Sequence, residues 1–181
     1  MFPLKERKIT GYKFGVPTFY SKFHLGVDYG KEGMDVFAPF DGTVVLATYG
    51  QEGGNTLWFK PDNRDVIIRF LHLSQFIVYT GKVAEGIRIA VTGNTGHSTL
   101  GHLHLDISRK KVDINNPKNF IDPEKYDWKM PMNQTRIVKS KKSSTLYFCT
   151  PIPDITWEDV QKIANVQGIT VPNPIPDTDS L

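Results

Sequence analysis

Residues 41–73 read DGTVVLATYGQEGGNTLWFKPDNRDVIIRFLHL. Three runs rich in β-branched and aromatic residues stand out: GTVVLATY (42–49), NTLWFK (55–60) and DVIIRFLHL (65–73). Turn-forming pairs bracket them, DG at 41–42, GG at 53–54 and DN at 62–63. Short runs of this composition, broken at this spacing, predict antiparallel strands joined by hairpins. Outward from this stretch, DVFAPF (35–40) and IRIAV (87–91) have the same character, and no long amphipathic helix occurs before residue 150. The fold class is therefore mainly β, a small antiparallel β-sheet domain.

Composition narrows the classes of function. The chain has 181 residues, with 39% hydrophobic and 23% charged, the balance of an ordinary globular protein. Its 11 Phe, 7 Tyr and 3 Trp supply a core. A single cysteine, Cys149, excludes an intramolecular disulfide and a cysteine-rich zinc finger, and is read as a buried apolar residue. No apolar run is long enough for a membrane span, and MFPLKERKIT lacks a signal-peptide core. Residues 151–181 carry one lysine and five acids, net −4, which leaves +7 of the total +3 on residues 1–150. A body this mildly basic suits an anionic polymer such as bacterial wall but is too weak a footprint for nucleic acid.

Residues 111–135 are loop-like, and RIVKSKK (136–142) has the composition of a solvated linker. Beyond Cys149, ITWEDVQKIANVQG (155–168) predicts one short helix. Thr156 and Asp159 form a capping box, Trp157, Val160, Ile163 and Ala164 share a face, and Gly168 is the stop. The final VPNPIPDTDSL is read as a frayed tail. The expected organisation is a domain over 1–125, a linker or extension over 126–150, and a C-terminal extension over 151–181.

Of the five histidines, three fall into a pattern. In GHLHLDI (101–107), strand alternation puts His102, His104 and Asp106 on one face and Leu103, Leu105 and Ile107 on the other. In FHLGVDYG (23–30), His24 and Asp28 share a face, with Gly26 leaving room between them. His24, Asp28 and one histidine of the 102/104 pair make two imidazoles and a carboxylate. Three such ligands leave a coordination position open, as in hydrolytic zinc sites. The same ligand types suit non-haem iron, but the short His-x-Asp spacing of that chemistry is absent.

These motifs together resemble the lysostaphin-type, or LytM-like, zinc metallopeptidases. FHLGVDYG, DVFAPFDGTVV, FLHLS and GIRIAVTGNTGHSTLGHLHLDI match, in order, that family's H-x-x-x-D motif, A-P-x-x-G-x-V strand, H-L-S motif, glycine-rich loop and H-x-H motif. The resemblance covers residues 16–110. It implies the family's antiparallel β fold (duplicated hybrid motif-like) and one Zn2+ held by His24, Asp28 and His104. It implies His72 and His102 as catalytic residues, and a zinc-activated water attacking peptide bonds in peptidoglycan stems or cross-bridges. It departs from the family at Leu100 and Gly101, where Gly-Pro is common, and at Asp106, where Glu is common. Asp106 could support a ligand or face solvent. His97 occupies a variable slot of the glycine-rich loop, and Tyr29 could line the groove or pack against Phe23.

The expectation is thus a metalloendopeptidase acting on the extracytoplasmic cell wall. The alternative is a non-catalytic wall-binding or virion structural component on the same scaffold. The missing export signal suggests a phage-encoded chain or a fragment of an exported one. The segment 155–170 also resembles half of a LysM wall-binding module.

Overall fold

The computed structural model describes residues 1–109, 112–129, 137–139 and 146–148. The chain divides into two compact units, Met1–Lys129 and Met130–Leu181.

In the first unit the strands are β1 (Gly26–Tyr29), β2 (Asp35–Phe37), β3 (Gly42–Gly50), β4 (Gly54–Pro61), β5 (Val66–Leu73), β6 (Gln75–Phe76), β7 (Gly81–Val83), β8 (Arg88–Val91), β9 (Leu103–Arg109) and β10 (Phe120–Ile121). The main sheet runs β1-β9-β5-β4-β3-β7, with β10 continuing the β1 edge of β9. A smaller sheet runs β2-β8-β6. All pairings are antiparallel. The mainly β expectation is met, and the runs at 42–49, 55–60, 65–73 and 87–91 fall on β3, β4, β5 and β8. DVFAPF yields a strand only over Asp35–Phe37, because Pro39 has no amide hydrogen to extend the ladder.

Register explains the core. Opposite residues of antiparallel neighbours share a face. Val27, Leu105, Phe70 and Leu57 are in line across β1, β9, β5 and β4, and Ile107, Ile68 and Phe59 are in line beside them. All seven are fully buried, and burying each such side chain contributes about 1.5–3 kcal/mol. The opposite face carries Asp28 with His104 and Gly26 with Asp106 across β1–β9, and Arg69 with Asp106 across β5–β9. One sheet thus presents an oily face inward and a polar face to the candidate site.

Tyr29 belongs to the oily face. Neither sequence reading of it holds: it is fully buried, packs edge-on against Phe2 with centroids 5.1 Å apart, and donates its hydroxyl to Glu124. Phe23 packs on Phe14 instead. Trp128 stacks on Phe40 and meets Phe2, and its indole N–H donates to the Pro123 carbonyl. This packing carries the first unit past residue 125 to Lys129.

In the second unit β11 (Ile137–Lys139) pairs with β12 (Leu146–Phe148), Ile137 opposite Phe148. A strand therefore lies within the segment read as a linker. The helix expected over 155–168 and Cys149 lie outside the described residues. Among the described residues no helix is long and apolar enough to cross a membrane.

Candidate metal centre

β9 is the middle strand of the site. It sets His104 opposite Asp28 on β1 and opposite Leu71 on β5, one residue before His72. His24 lies two residues before β1, and alternation returns its side chain to the face of Asp28. The result is a cluster of His24 Nε2, Asp28 Oδ1 and His104 Nδ1. The separations are 2.9 Å between the two nitrogens, 3.2 Å from His24 to Asp28 and 3.1 Å from His104 to Asp28. All three residues are buried.

The atoms around the cluster decide which nitrogen each ring presents. The Lys13 carbonyl accepts the Nδ1–H of His24 at 3.1 Å, which leaves Nε2 as the lone-pair atom. His104 is turned the other way, with Nε2 toward Asp106 Oδ2 at 3.4 Å and Nδ1 toward the cluster. The second carboxylate oxygen of Asp28 accepts the backbone amide of Tyr12 at 3.0 Å. Three donor atoms face one point, with their remaining polar atoms committed to protein partners. Ligands at zinc's bond lengths in a tetrahedron stand about 3.3 Å apart, close to the spacings seen. The donor set fits one zinc ion with a position open.

His72 and His102 stand beside this cluster, ring centroids 4.9 Å apart. His102 Nε2 is 3.4 Å from Asp28 Oδ1, and its Nδ1–H donates to the Leu100 carbonyl at 2.6 Å. His72 donates Nδ1–H to the Thr95 carbonyl at 2.8 Å. It holds a left-handed backbone at φ +61°, unusual for a non-glycine residue. Its own amide is bound to the Gly53 carbonyl at 2.8 Å. In both rings Nε2 is left without a proton.

Electrostatics follow the packing. Burial opposes ionisation of Asp28, but the three imidazoles packed around it, His102, His104 and His24, outweigh that cost and hold the carboxyl far below the usual range. Burial lowers the His72 pKa to about 4, with the neighbouring His104 adding to the effect. Burial also works against protonated His104, but Asp106 and Asp28 prevail and raise it to about 9 in the metal-free protein. Asp106 is lowered: burial is overcome by the Arg69 charge and the His104 hydrogen bond.

The structure brings His24, Asp28, His104, His72 and His102 together. It settles Asp106 as a buried residue bonded to Arg69 rather than a solvent-facing one. The room beside Gly26 is filled by a ligand ring: a Cβ there would stand 2.8 Å from His104 Nε2 and 2.3 Å from the Leu105 carbonyl. Leu100 is exposed while its carbonyl orients His102. His97 is exposed and stacks on Tyr20 at 5.2 Å. Sequence reasoning missed Arg69, whose signal was a lone cation inside an apolar strand. It also missed the backbone groups of Tyr12, Lys13 and Thr95, which carry no residue-type signal.

Two imidazoles and a carboxylate with flanking histidines, set on a small antiparallel sheet, have the donor chemistry of a hydrolytic metal centre. The chain belongs to peptidase family M23, whose model matches residues 22–116. The peptidoglycan DD-endopeptidase ShyC of Vibrio cholerae serotype O1 is 31% identical over 123 residues, 67% of this chain and 28% of that protein. The catalytic domain of lysostaphin from Staphylococcus simulans aligns with a TM-score of 0.57 at 28% identity, over 63% of this chain and 87% of that one. A zinc-containing peptidase from Vibrio cholerae aligns with a TM-score of 0.59 at 26% identity, over 70% and 39%. The fold is of the lysostaphin type, and the chain spans less than a third of the length of ShyC.

Proposed function

We propose that this chain is a zinc-dependent endopeptidase that hydrolyses peptide bonds in the stems or cross-bridges of bacterial peptidoglycan. The observation that carries the proposal is the convergence of His24 Nε2, Asp28 Oδ1 and His104 Nδ1, with two further histidines beside them. The name of ShyC and the likeness to lysostaphin support peptidoglycan as the substrate. The site of action is then the extracytoplasmic wall, and Met1–Lys129 is the catalytic unit.

His24, Asp28 and His104 would hold one Zn2+. When bound, the ion lowers the pKa of a coordinated water toward ~7 and polarises a peptide carbonyl. The chain's own groups do the rest. His72 and His102 each keep Nδ1–H on a loop carbonyl and aim an unprotonated Nε2 into the site. An imidazole so fixed takes a proton from an attacking water and returns it to the departing amine, a contribution of about 10²–10⁴ in rate. Once protonated, the same Nε2–H donates to the developing oxyanion. Burial lowers the His72 pKa to about 4, which keeps its ring neutral.

The test is digestion of synthetic cross-linked stem dimers, one joined directly through D-alanine and one through a glycine bridge, by the zinc-loaded chain. Cleavage of either supports the proposal and names the bond. Retention of both substrates intact, by folded protein carrying zinc, points instead to a wall-binding role.

A further inference from the structure

Arg69 and Asp106 lie beneath the metal centre and take no part in the chemistry just described. Both sit on the polar face, directly opposite one another across β5 and β9. Asp106 is completely buried. Its two carboxylate oxygens accept Nε and Nη2 of Arg69 at 2.9 Å and 2.7 Å. The guanidinium lies between two rings, 5.6 Å from the Trp58 centroid and 5.7 Å from that of Phe120. The pair is therefore fixed in position and in plane. Its free acceptor capacity points at one group, His104 Nε2, 3.4 Å from Asp106 Oδ2.

We infer that the Arg69–Asp106 pair is a positioning device for His104, which holds the ring as its Nε2–H tautomer and commits Nδ1 to the metal. The inference rests on the zinc reading above. A carboxylate can only accept a hydrogen bond, so the nitrogen facing Asp106 carries the hydrogen. The other nitrogen then presents its lone pair to His24 and Asp28. Arg69, bound to both carboxylate oxygens, stops the group from swinging away. Gly26, opposite Asp106 across β1, leaves the space in which the imidazole reaches the carboxylate. His24 solves the same problem with a main-chain carbonyl, that of Lys13, so the two ligand histidines are held as opposite tautomers by different means. A buried ion pair is a weak source of net stability, and this one terminates on a ligand ring.

The experiment measures zinc affinity of the full chain by chelator competition for wild type, Asp106→Asn and the double variant Asp106→Asn/Arg69→Gln, with thermal unfolding of each metal-free protein alongside. Asp106→Asn strands a buried cation and loses stability. The double variant removes that cation and recovers stability, yet both bind zinc ~10–100-fold more weakly. Recovery of zinc affinity together with stability in the double variant would reduce the pair to a structural contact and overturn the inference. Should either variant fail to fold, nitrogen-15 NMR of zinc-loaded wild type decides. A hydrogen on His104 Nε2 and none on Nδ1 is expected, and the reverse overturns the inference. Wild type that binds no zinc at all would instead bring down the underlying metal reading, and this inference with it.

Discussion

His24 Nε2 stands 2.9 Å from His104 Nδ1, although the two residues are 80 positions apart in the chain. The meeting is a consequence of register. β1 lies against β9 with Asp28 opposite His104, and His24 joins them through strand alternation. The oily face of the same two strands, Val27 with Leu105 and Tyr29 with Leu103, fixes that register. A slip of one residue would send these side chains into the polar site.

Removal of any one ligand should empty the site. His24→Ala, Asp28→Ala and His104→Ala are each expected to lower zinc from one per chain to a trace, measured by inductively coupled plasma mass spectrometry on dialysed protein. Stoichiometric zinc in any of the three would remove that residue from the ligand set.

His72→Ala and His102→Ala should separate metal binding from turnover. Both variants are expected to keep their zinc and lose about 10²–10⁴ in kcat, read from the rate of cleavage of a stem-peptide substrate. Full activity in either would exclude that histidine from proton transfer.

The metal-free protein should be most stable near pH 6.5. His104 has a folded pKa raised to about 9, so its contribution is complete below the unfolded value of 6.5 and is lost as pH rises toward 9. His72 has a folded pKa lowered to about 4, so its contribution is present above 6.5 and is lost as pH falls toward 4. Urea unfolding across this range should show the maximum. Zinc must displace the His104 proton, so its affinity should climb with pH up to about 9. An affinity independent of pH would contradict the protonation assigned to that ring.

Gly26→Ala should damage the centre without touching a ligand. Its Cβ would lie 2.3 Å from the Leu105 carbonyl and 2.8 Å from His104 Nε2, so β1 has to move off β9. The expected cost is above about 3 kcal/mol in chemical unfolding, the range of severe overpacking, with zinc affinity falling too. A stable, zinc-binding Gly26→Ala protein would show that the strands have slack here.

The stack between Tyr20 and His97 joins the loop before His24 to the loop before His102. With both residues exposed, His97→Ala is expected to raise KM for a cross-linked substrate and leave kcat and zinc content unchanged. Steady-state kinetics would reveal a kcat effect if the loop instead orients His102.

Much of this was legible in the sequence because the physics is local. Alternation within GHLHLDI separates Leu103, Leu105 and Ile107 from His104 and Asp106, and the structure keeps that division. The four-residue spacing of His24 and Asp28 puts them on one face. What was not legible depends on contacts between distant segments. The Arg69–Asp106 pairing needs the β5–β9 register. The Lys13, Leu100 and Thr95 carbonyls act through the main chain, so no residue type announces them. Strands of two or three residues, such as β6, β7 and β10, are too short for a period to show. Tyr29 misled because its neighbour Asp28 faces the site while alternation turns Tyr29 into the core.

The most direct measurement is mass spectrometry of muropeptides released from purified sacculi by the chain, by the chain after chelation, and by the chelated chain after zinc is restored. New peptide termini in the first sample, none in the second and the same termini again in the third are the predicted result. Sacculi left without new termini by folded, zinc-loaded protein, or cleavage that survives complete removal of metal, would contradict the account.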